Sequence, residues 1–349
     1  MPAPALPSAY DLPPASWSAL CRERGLPAFR AGQIVQWLYQ PVDSFASMTN
    51  LPAALRDDLA AAYRGLDATA ALEEKGHADV GTEKLLLRLA DGQFVESVII
   101  PARDRATVCV SSQVGCAFHC AFCASGAMGF TRNLSQGEIV AQALRACQRL
   151  GRRPDNVVFM GIGEPMVNYD AVLGAIRTLN DPAGLGIGAR RITVSTCGVV
   201  PGIRRLATEG LQIELSVSLH APTDAQRSEL MPVNRSWPIA ELLPACADYI
   251  AATDRIVTFE YTLVRGFNDS PRDARTLVNL LRGLKCRVNL IPLNPTGHFP
   301  GERPADATLY GFRDFLMDAH LNATLRVSRG GGIDAACGQL RLRRLRSQP

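Results

Sequence analysis

Cys116, Cys120 and Cys123 stand at C-x3-C-x2-C spacing within CVSSQVGCAFHCAFC, residues 109–123. Three thiolates on one short loop can wrap a cubane iron–sulfur cluster, ligating three irons and leaving the fourth open. An open iron can take an amine and a carboxylate, the pair that methionine offers. A structural zinc site is the alternative, but it asks for four protein ligands, usually as two pairs. No second pair follows at finger-like distance, although His119 or a distant cysteine could supply a fourth ligand. Phe122, just before the last cysteine, would shield the site or simply pack.

Further polar groups follow short apolar runs. Gly161-Ile162-Gly163-Glu164-Pro165 is a glycine turn in which backbone can approach a ligand closely and Glu164 can accept from an ammonium group. Read blandly, it is a tight turn. Ser195 in TVSTCG, Ser218, Leu219 and His220 in SVSLHA, and Asn294 in IPLNP also fall where apolar runs finish. Helix capping or loop hydrogen bonding would explain each polar one singly.

The elements that must carry these residues alternate. The runs ATVCVSS, NVVFMG, RITVST, IELSVSL, IVTFEYTLV and CRVNLIPL read as strands. SQGEIVAQALRACQRL, YDAVLGAIRTLN, VPGIRRLA, IAELLPACADYIAA and PRDARTLVNLLRGL read as the helices between them. Repeated strand–helix alternation implies a parallel α/β sheet, either doubly wound or a barrel, with the motifs at the carboxyl ends of its strands. Upstream, KLLLRLADGQFVESVII pivots on Asp91-Gly92, a hairpin signal. SWSALCRERG, FRAGQIVQWLYQ and LPAALRDDLAAAYRGL place apolar residues at helical spacing, a small domain of about four helices. The Pro- and Ala-rich residues 1–15 read as loosely ordered.

The chain has 349 residues, 47% hydrophobic and 20% charged, which suffices for a sizeable core. Its net charge of +4 permits a nucleic-acid partner without demanding one. No stretch approaches the roughly 18 apolar residues of a membrane span, and the N-terminus lacks the basic start and apolar run of a secretory signal. The expected location is therefore cytoplasmic. Ten cysteines in so long a chain are not a disulfide scaffold. Cys21, Cys147, Cys197, Cys246 and Cys286 stand alone in apolar or helical contexts and read as packing residues.

The cysteine loop resembles that of the radical S-adenosylmethionine superfamily. More specifically, CVSSQVGC, GFTRNLSQGEIVAQ, MGIGEPMVNY, SLHAPTDAQRSELMPVNR and IDAACGQL resemble the RlmN/Cfr family of RNA adenine methyltransferases. GLPAFRAGQIVQWLY and SMTNLPAALR resemble that family's accessory domain, so the likeness runs over about residues 16–342. The resemblance implies a radical SAM partial (β/α)6 barrel with a small all-helical N-terminal accessory domain and a β-hairpin linker. Residues 1–75 would form the RNA-contacting accessory domain, 76–105 the linker, and 106–349 the core with a catalytic-cysteine loop and basic tail. The cofactors implied are a [4Fe–4S] cluster on Cys116, Cys120 and Cys123 and two S-adenosylmethionines per turnover, bound by Gly163, Glu164, Ser195, Ser218, Leu219, His220 and Asn294.

Carbon 2 of adenine is a poor nucleophile, so direct methyl displacement onto it is not expected. The family's solution, carried onto this chain, methylates Cys337 with one S-adenosylmethionine. A second is cleaved to a 5′-deoxyadenosyl radical that takes hydrogen from the S-methyl group, and the resulting radical attacks the ring. Cys109 would release the adduct through a transient disulfide with Cys337, and Glu96 would accept the ring proton, a role that Cys109 could also fill. The bland readings are a packed Cys337, a buried strand residue at Cys109 and a solvent-facing Glu96. The expected substrate is 23S ribosomal RNA, with transfer RNA as a further candidate. Methylation at carbon 8, a divergent paralogue with another RNA target, and a zinc-containing RNA-binding protein without turnover are the alternatives. An electron donor such as flavodoxin and a monomeric state are also expected.

Arg341, Arg343, Arg344 and Arg346, preceded by Arg326 and Arg329, form a basic C-terminus suited to phosphate contact or merely solvated. Two departures from the family pattern bear on target choice. RGGGID at 329–334 has Gly331 and Gly332 where acids are usual, and ASGAMGF at 124–130 lacks the usual lysine.

Overall fold

The computed structural model describes residues 6–40, 42–76, 81–294 and 299–326. Near the N-terminus lie helices α1 (Ser16–Glu23), α2 (Phe29–Leu38) and α3 (Ala53–Ala62), packed through Trp17, Ile34, Leu38, Leu55 and Leu59. Residues 8–11 are more ordered than their composition suggests. Ser8 caps a short turn of helix, Ala9 and Tyr10 are buried, and Asp11 Oδ1 accepts from Gly137 N at 2.7 Å. That bond ties the N-terminal segment to the first turn of helix α4 (Gln136–Leu150), where a carboxylate meets unpaired backbone donors.

Strands β1 (Ala70–Gly76), β2 (Glu83–Arg88), β3 (Phe94–Ala102) and β4 (Arg105–Cys109) form an antiparallel meander. Asp91-Gly92 makes the β2–β3 turn, with Gly92 at φ +82°. From β4 the sheet turns parallel, continuing through β7 (Asn156–Phe159), β8 (Ile192–Thr196), β9 (Glu214–Ser218), β10 (Val257–Leu263), β11 (Cys286–Pro292) and β12 (Ala323–Leu325). The order β1-β2-β3-β4-β7-β8-β9-β10-β11-β12 makes one ten-stranded sheet. The hairpin expected as a linker pairs through β3 with β4, in one sheet with the parallel strands.

The parallel strands follow one another without reversal, so there is no switch point of the doubly wound kind. Crossovers of one hand then place their helices on one face and curl the sheet around the other. Those helices are α4, α5 (Tyr169–Asn180), α6 (Val200–Ala207), α7 (Asp224–Leu230), α8 (Ile239–Thr253), α9 (Pro271–Leu281) and α10 (Asp306–Asp318). The two ends of the sheet, β1 and β12, remain unpaired with each other, so the barrel is partial.

Register fixes what each face carries. Val157, Phe159, Val194, Leu215, Val217, Phe259, Val288 and Leu290 make the buried apolar side. The alternate positions pair as Ser195 with Ser216, Ser218 with Glu260, Glu260 with Asn289 and Thr262 with Ile291, giving a largely polar inner face. A separate two-stranded ribbon, β5 (Gln113–Gly115) with β6 (Phe130–Asn133), clasps the cysteine loop between its strands.

Candidate active site

The lead-in from β4 grips the glycine turn after β7. Val110 N donates to Val158 O at 2.9 Å, and Ser112 N to Ile162 O at 2.9 Å. Ile162 N donates to Ser111 Oγ, and Glu164 N to Gln113 Oε1 at 2.8 Å. Gly163 has φ +104°, and a Cβ there would stand 2.5 Å from Gln113 Cβ. Only glycine fits the backbone and the space. The turn thereby sends Glu164 into the interior, where it is 4% exposed. Its Oε1 accepts from Met166 N at 3.0 Å and its Oε2 from Cys197 N at 2.7 Å. Burial raises the Glu164 pKa above the usual carboxylate value, and the backbone donors oppose that rise.

Cys116, Cys120, Cys123, Gly163, Glu164, Ser195, Ser218 and His220 all line one cavity of about 290 Å³ at the carboxyl ends of the strands. His220 sits at φ +55°, held by its N–H to Glu260 O and by Asn268 Nδ2 donating to its carbonyl. Its Nδ1 accepts from Thr262 N at 2.9 Å, which leaves the ring proton on Nε2. Burial, seconded by the Arg227 charge, pulls its pKa down to about 3, so the imidazole is neutral. Phe122 meets this ring edge-on at 4.7 Å and closes that side of the cavity.

The three cysteines suit the group the loop spacing implies. Burial pushes the Cys116 thiol up to about 11 and Cys120 further, and a bound cation would favour their thiolates. Among the described residues no three His, Cys, Asp or Glu side chains converge on a single-ion site. Cys116, Cys120 and Cys123 all line the one cavity, as three ligands of a cubane would.

A second cavity of about 600 Å³ adjoins the first, sharing Met160, Glu260 and Arg326 and walled by Val98, Ile100 and Thr107. Glu260 is buried, its pKa raised by desolvation, and it accepts from Asn289 Nδ2 at 2.8 Å. Cys109, 6% exposed, pairs in register with Val98, and Glu96 projects from the same face two residues earlier. Both therefore belong to the strand face that walls this second space. The solvent-facing reading of Glu96 fails: it is 3% exposed and its Oε2 lies 3.1 Å from Nζ of fully buried Lys84.

Other expected residues fall elsewhere. Asn294 is exposed and off the cavity wall, and Leu219 is buried with its N–H on Glu260 O. Cys337, Arg329 and the arginines at 341–346 lie outside the described residues. The Cys109–Cys337 exchange pair is therefore not described, and no disulfide joins any two of the nine described cysteines. Cys21, Cys147 and Cys246 are buried, but Cys286 is half-buried. Cys197, read as packing, lines the cofactor-sized cavity. Sequence reasoning also missed Gln113, Arg227 and Glu260. Gln113 carried a signal, lying three residues before Cys116 in a segment that must touch the next strand.

A curled parallel sheet with three loop cysteines over a buried glycine–glutamate turn defines a radical S-adenosylmethionine fold. The Radical SAM superfamily model matches residues 110–278, and that of the ribosomal RNA large subunit methyltransferase N-terminal domain matches residues 10–64. The chain is 50% identical over 331 residues to a probable dual-specificity RNA methyltransferase RlmN of Symbiobacterium thermophilum, covering 93% of this chain and 88% of that protein. It is 47% identical to the one from Gemmatimonas aurantiaca, covering 97% and 94%. The crystal structure of a radical SAM methyltransferase from Sphaerobacter thermophilus superposes with TM-score 0.91 at 48% identity, covering 95% of this chain and 98% of that one. The chain belongs to the RlmN family of radical S-adenosylmethionine RNA methyltransferases. Among the described residues no helix is long and apolar enough to cross a membrane.

Proposed function

We propose that the protein methylates carbon 2 of an adenosine in 23S ribosomal RNA, with transfer RNA as a second substrate. Residues 1–75 would serve as the RNA-contacting accessory domain, 76–105 as linker and 106–349 as the catalytic core. The observation that carries this reading is the convergence of Cys116, Cys120 and Cys123 with Gly163 and Glu164 on one cavity. The relatives' RNA methyltransferase names support the substrate class.

Cys116, Cys120 and Cys123 would hold a [4Fe–4S] cluster and leave one iron for S-adenosylmethionine. When bound, these groups supply one electron, from a donor of the flavodoxin kind, and a carbon radical. Glu164 would accept a hydrogen bond from the amino group, and Gly163 would allow its approach. Ser195, Ser218 and the Nε2–H of His220 offer polar contacts along the same wall. Cys337 carries the methyl group, one S-adenosylmethionine serving to load it and a second to activate it. Once the adduct has given up its unpaired electron and the ring proton, the Cys109 thiolate would attack the Cys337 sulfur; the RNA carbon would leave with the bonding pair and take up a proton to become the methyl group, and an external dithiol would reduce the Cys109–Cys337 disulfide. Glu96, on the face that walls the adjoining cavity, accepts the ring proton.

The test is nucleoside mass spectrometry on RNA treated with the reconstituted protein, S-adenosylmethionine and a low-potential reductant. The expected product is 2-methyladenosine. Product at carbon 8 alone would move the chain to the alternative specificity. One zinc and no iron per chain, with no product, would reduce it to an RNA-binding protein.

A further inference from the structure

Arg227 has no solvent exposure, although it lies in α7 within a segment, DAQRSEL, that reads as a surface helix. Its Nη2 donates to Cys197 O at 2.7 Å and to Ser218 O at 3.2 Å, and its Nη1 donates to Asn234 Oδ1 at 2.6 Å. One guanidinium thus bridges the carboxyl ends of β8 and β9, the strands that bring Ser195 and Ser218 to the cofactor cavity. Gly198 makes room for it, since a Cβ there would stand 2.9 Å from Nη2. At the end of the same helix, Leu230 O accepts the N–H of Ala121 at 2.8 Å, between Cys120 and Cys123. The buried cation and the cysteine loop are therefore carried by one short element.

Among the described residues the acceptors around Arg227 are neutral, and its Nε has no hydrogen-bond partner. The carboxylate of Asp224 is reached only through Asn234, and that residue is exposed. A desolvated cation without a buried counter-ion is costly, and removal from water leaves its field little screened. A permanently charged group in that position lowers the energy of whichever neighbour gains negative charge.

We propose that Arg227 is the built-in counter-charge of the iron–sulfur cluster, stabilising its reduced state and so setting its midpoint potential, while its fork holds β8 and β9 in place. The inference rests on the cluster reading above. The step is the transfer of one electron from a low-potential donor, which is oxidised as the cluster is reduced, with no bond made or broken and no proton moved. Arg227 stands close behind the cavity wall: the acceptors of its Nη2 belong to Cys197 and Ser218, which line the same cavity as Cys116, Cys120 and Cys123. Arg227 is a positioning residue, since it touches neither substrate nor reacting atoms.

The experiment is a redox titration of the reconstituted protein without S-adenosylmethionine, poised with dithionite and mediator dyes and read by electron paramagnetic resonance of the reduced cluster. Arg227→Gln should move the midpoint to a more negative potential. Arg227→Lys keeps the charge and loses the fork, so its midpoint should stay near wild type while S-adenosylmethionine binding weakens several-fold. A wild-type midpoint in Arg227→Gln would overturn the proposal. So would a displacement in Arg227→Lys as large as in Arg227→Gln, because geometry and not charge would then be the cause. If Arg227→Gln does not fold, Arg227→Lys decides alone, and a strongly displaced midpoint in it refutes the assignment. A wild-type protein with no reducible cluster signal would instead sink the cluster reading itself.

Discussion

Lys84→Met should be among the most destabilising single changes in the inner face of the sheet. Lys84 on β2 and Glu96 on β3 are diagonal neighbours, with Nζ and Oε2 3.1 Å apart and exposures of 0% and 3%. With an effective dielectric of about 20, two charges at that spacing attract by on the order of 5 kcal/mol. Removing one partner of a buried pair typically costs about 3–5 kcal/mol. That is a large share of the roughly 5–15 kcal/mol that holds a domain together. Lys84→Met/Glu96→Leu, which takes out both charges and leaves apolar bulk, should recover most of the loss. Urea unfolding of the wild type, the two single variants and the double variant gives the cycle. Single-variant losses below about 1 kcal/mol would refute the argument, because an ion pair of that worth is a solvated one. A double variant as unstable as Lys84→Met would show that other contacts of these residues, not their mutual charge, carry the energy.

Replacing Cys116, Cys120 or Cys123 by Ala should abolish or strongly weaken the iron–sulfur absorption of the reconstituted protein, and unchanged iron content would count against the loop as anchor. Cys337→Ala should keep its cluster and cleave S-adenosylmethionine, yet any methyladenosine in its RNA product would end the carrier role. Cys109→Ala should accumulate a ribonuclease-sensitive protein–RNA species on denaturing gels, absent from Cys109→Ala/Cys337→Ala; a packing role would cost only about 1–2 kcal/mol and leave turnover intact. Because the native pKa of His220 is pulled down to about 3 from the ordinary 6.5, the unfolded chain binds the extra proton between those values, so stability is lost as pH falls below 6.5. That loss amounts to about 2 kcal/mol at pH 5, from roughly 1.4 kcal/mol per unit of linkage. Unfolding of His220→Asn at pH 7 and pH 5 should show a smaller loss than wild type, and equal slopes would exclude His220 as the source.

The local signals were legible in the sequence. The Asp91-Gly92 turn, the alternation of strands and helices and the cysteine spacing each lie within a few residues, where periodicity and turn chemistry act directly. What escaped is set by partners far along the chain. Tyr10 is buried although its neighbours are Pro and Ala, because it packs near the start of α4. Arg227 sits among Asp, Gln, Ser and Glu and carries no local mark of burial, since its acceptors come from β8, β9 and the turn after its own helix. Glu260 lies in a run of apolar and β-branched residues, and only the register with Ser218 and Asn289 shows that its side faces the cavities. Cys197 reads as an apolar strand-end residue until the fold brings its N–H to Glu164, 33 positions away.

The β5–β6 clasp has a further consequence for how the protein meets oxygen. Gln113 pairs with Asn133 and Val114 with Arg132, so both ends of the loop that carries Cys116, Cys120 and Cys123 are joined by backbone hydrogen bonds. Drawing together the ends of a loop this long costs a flexible chain about 2 kcal/mol, and here the clasp has already met that cost. On the cluster reading proposed above, the clasp would hold the two ends of the loop together with or without the cluster, so repair of a cluster damaged by oxygen would be the refilling of a standing frame.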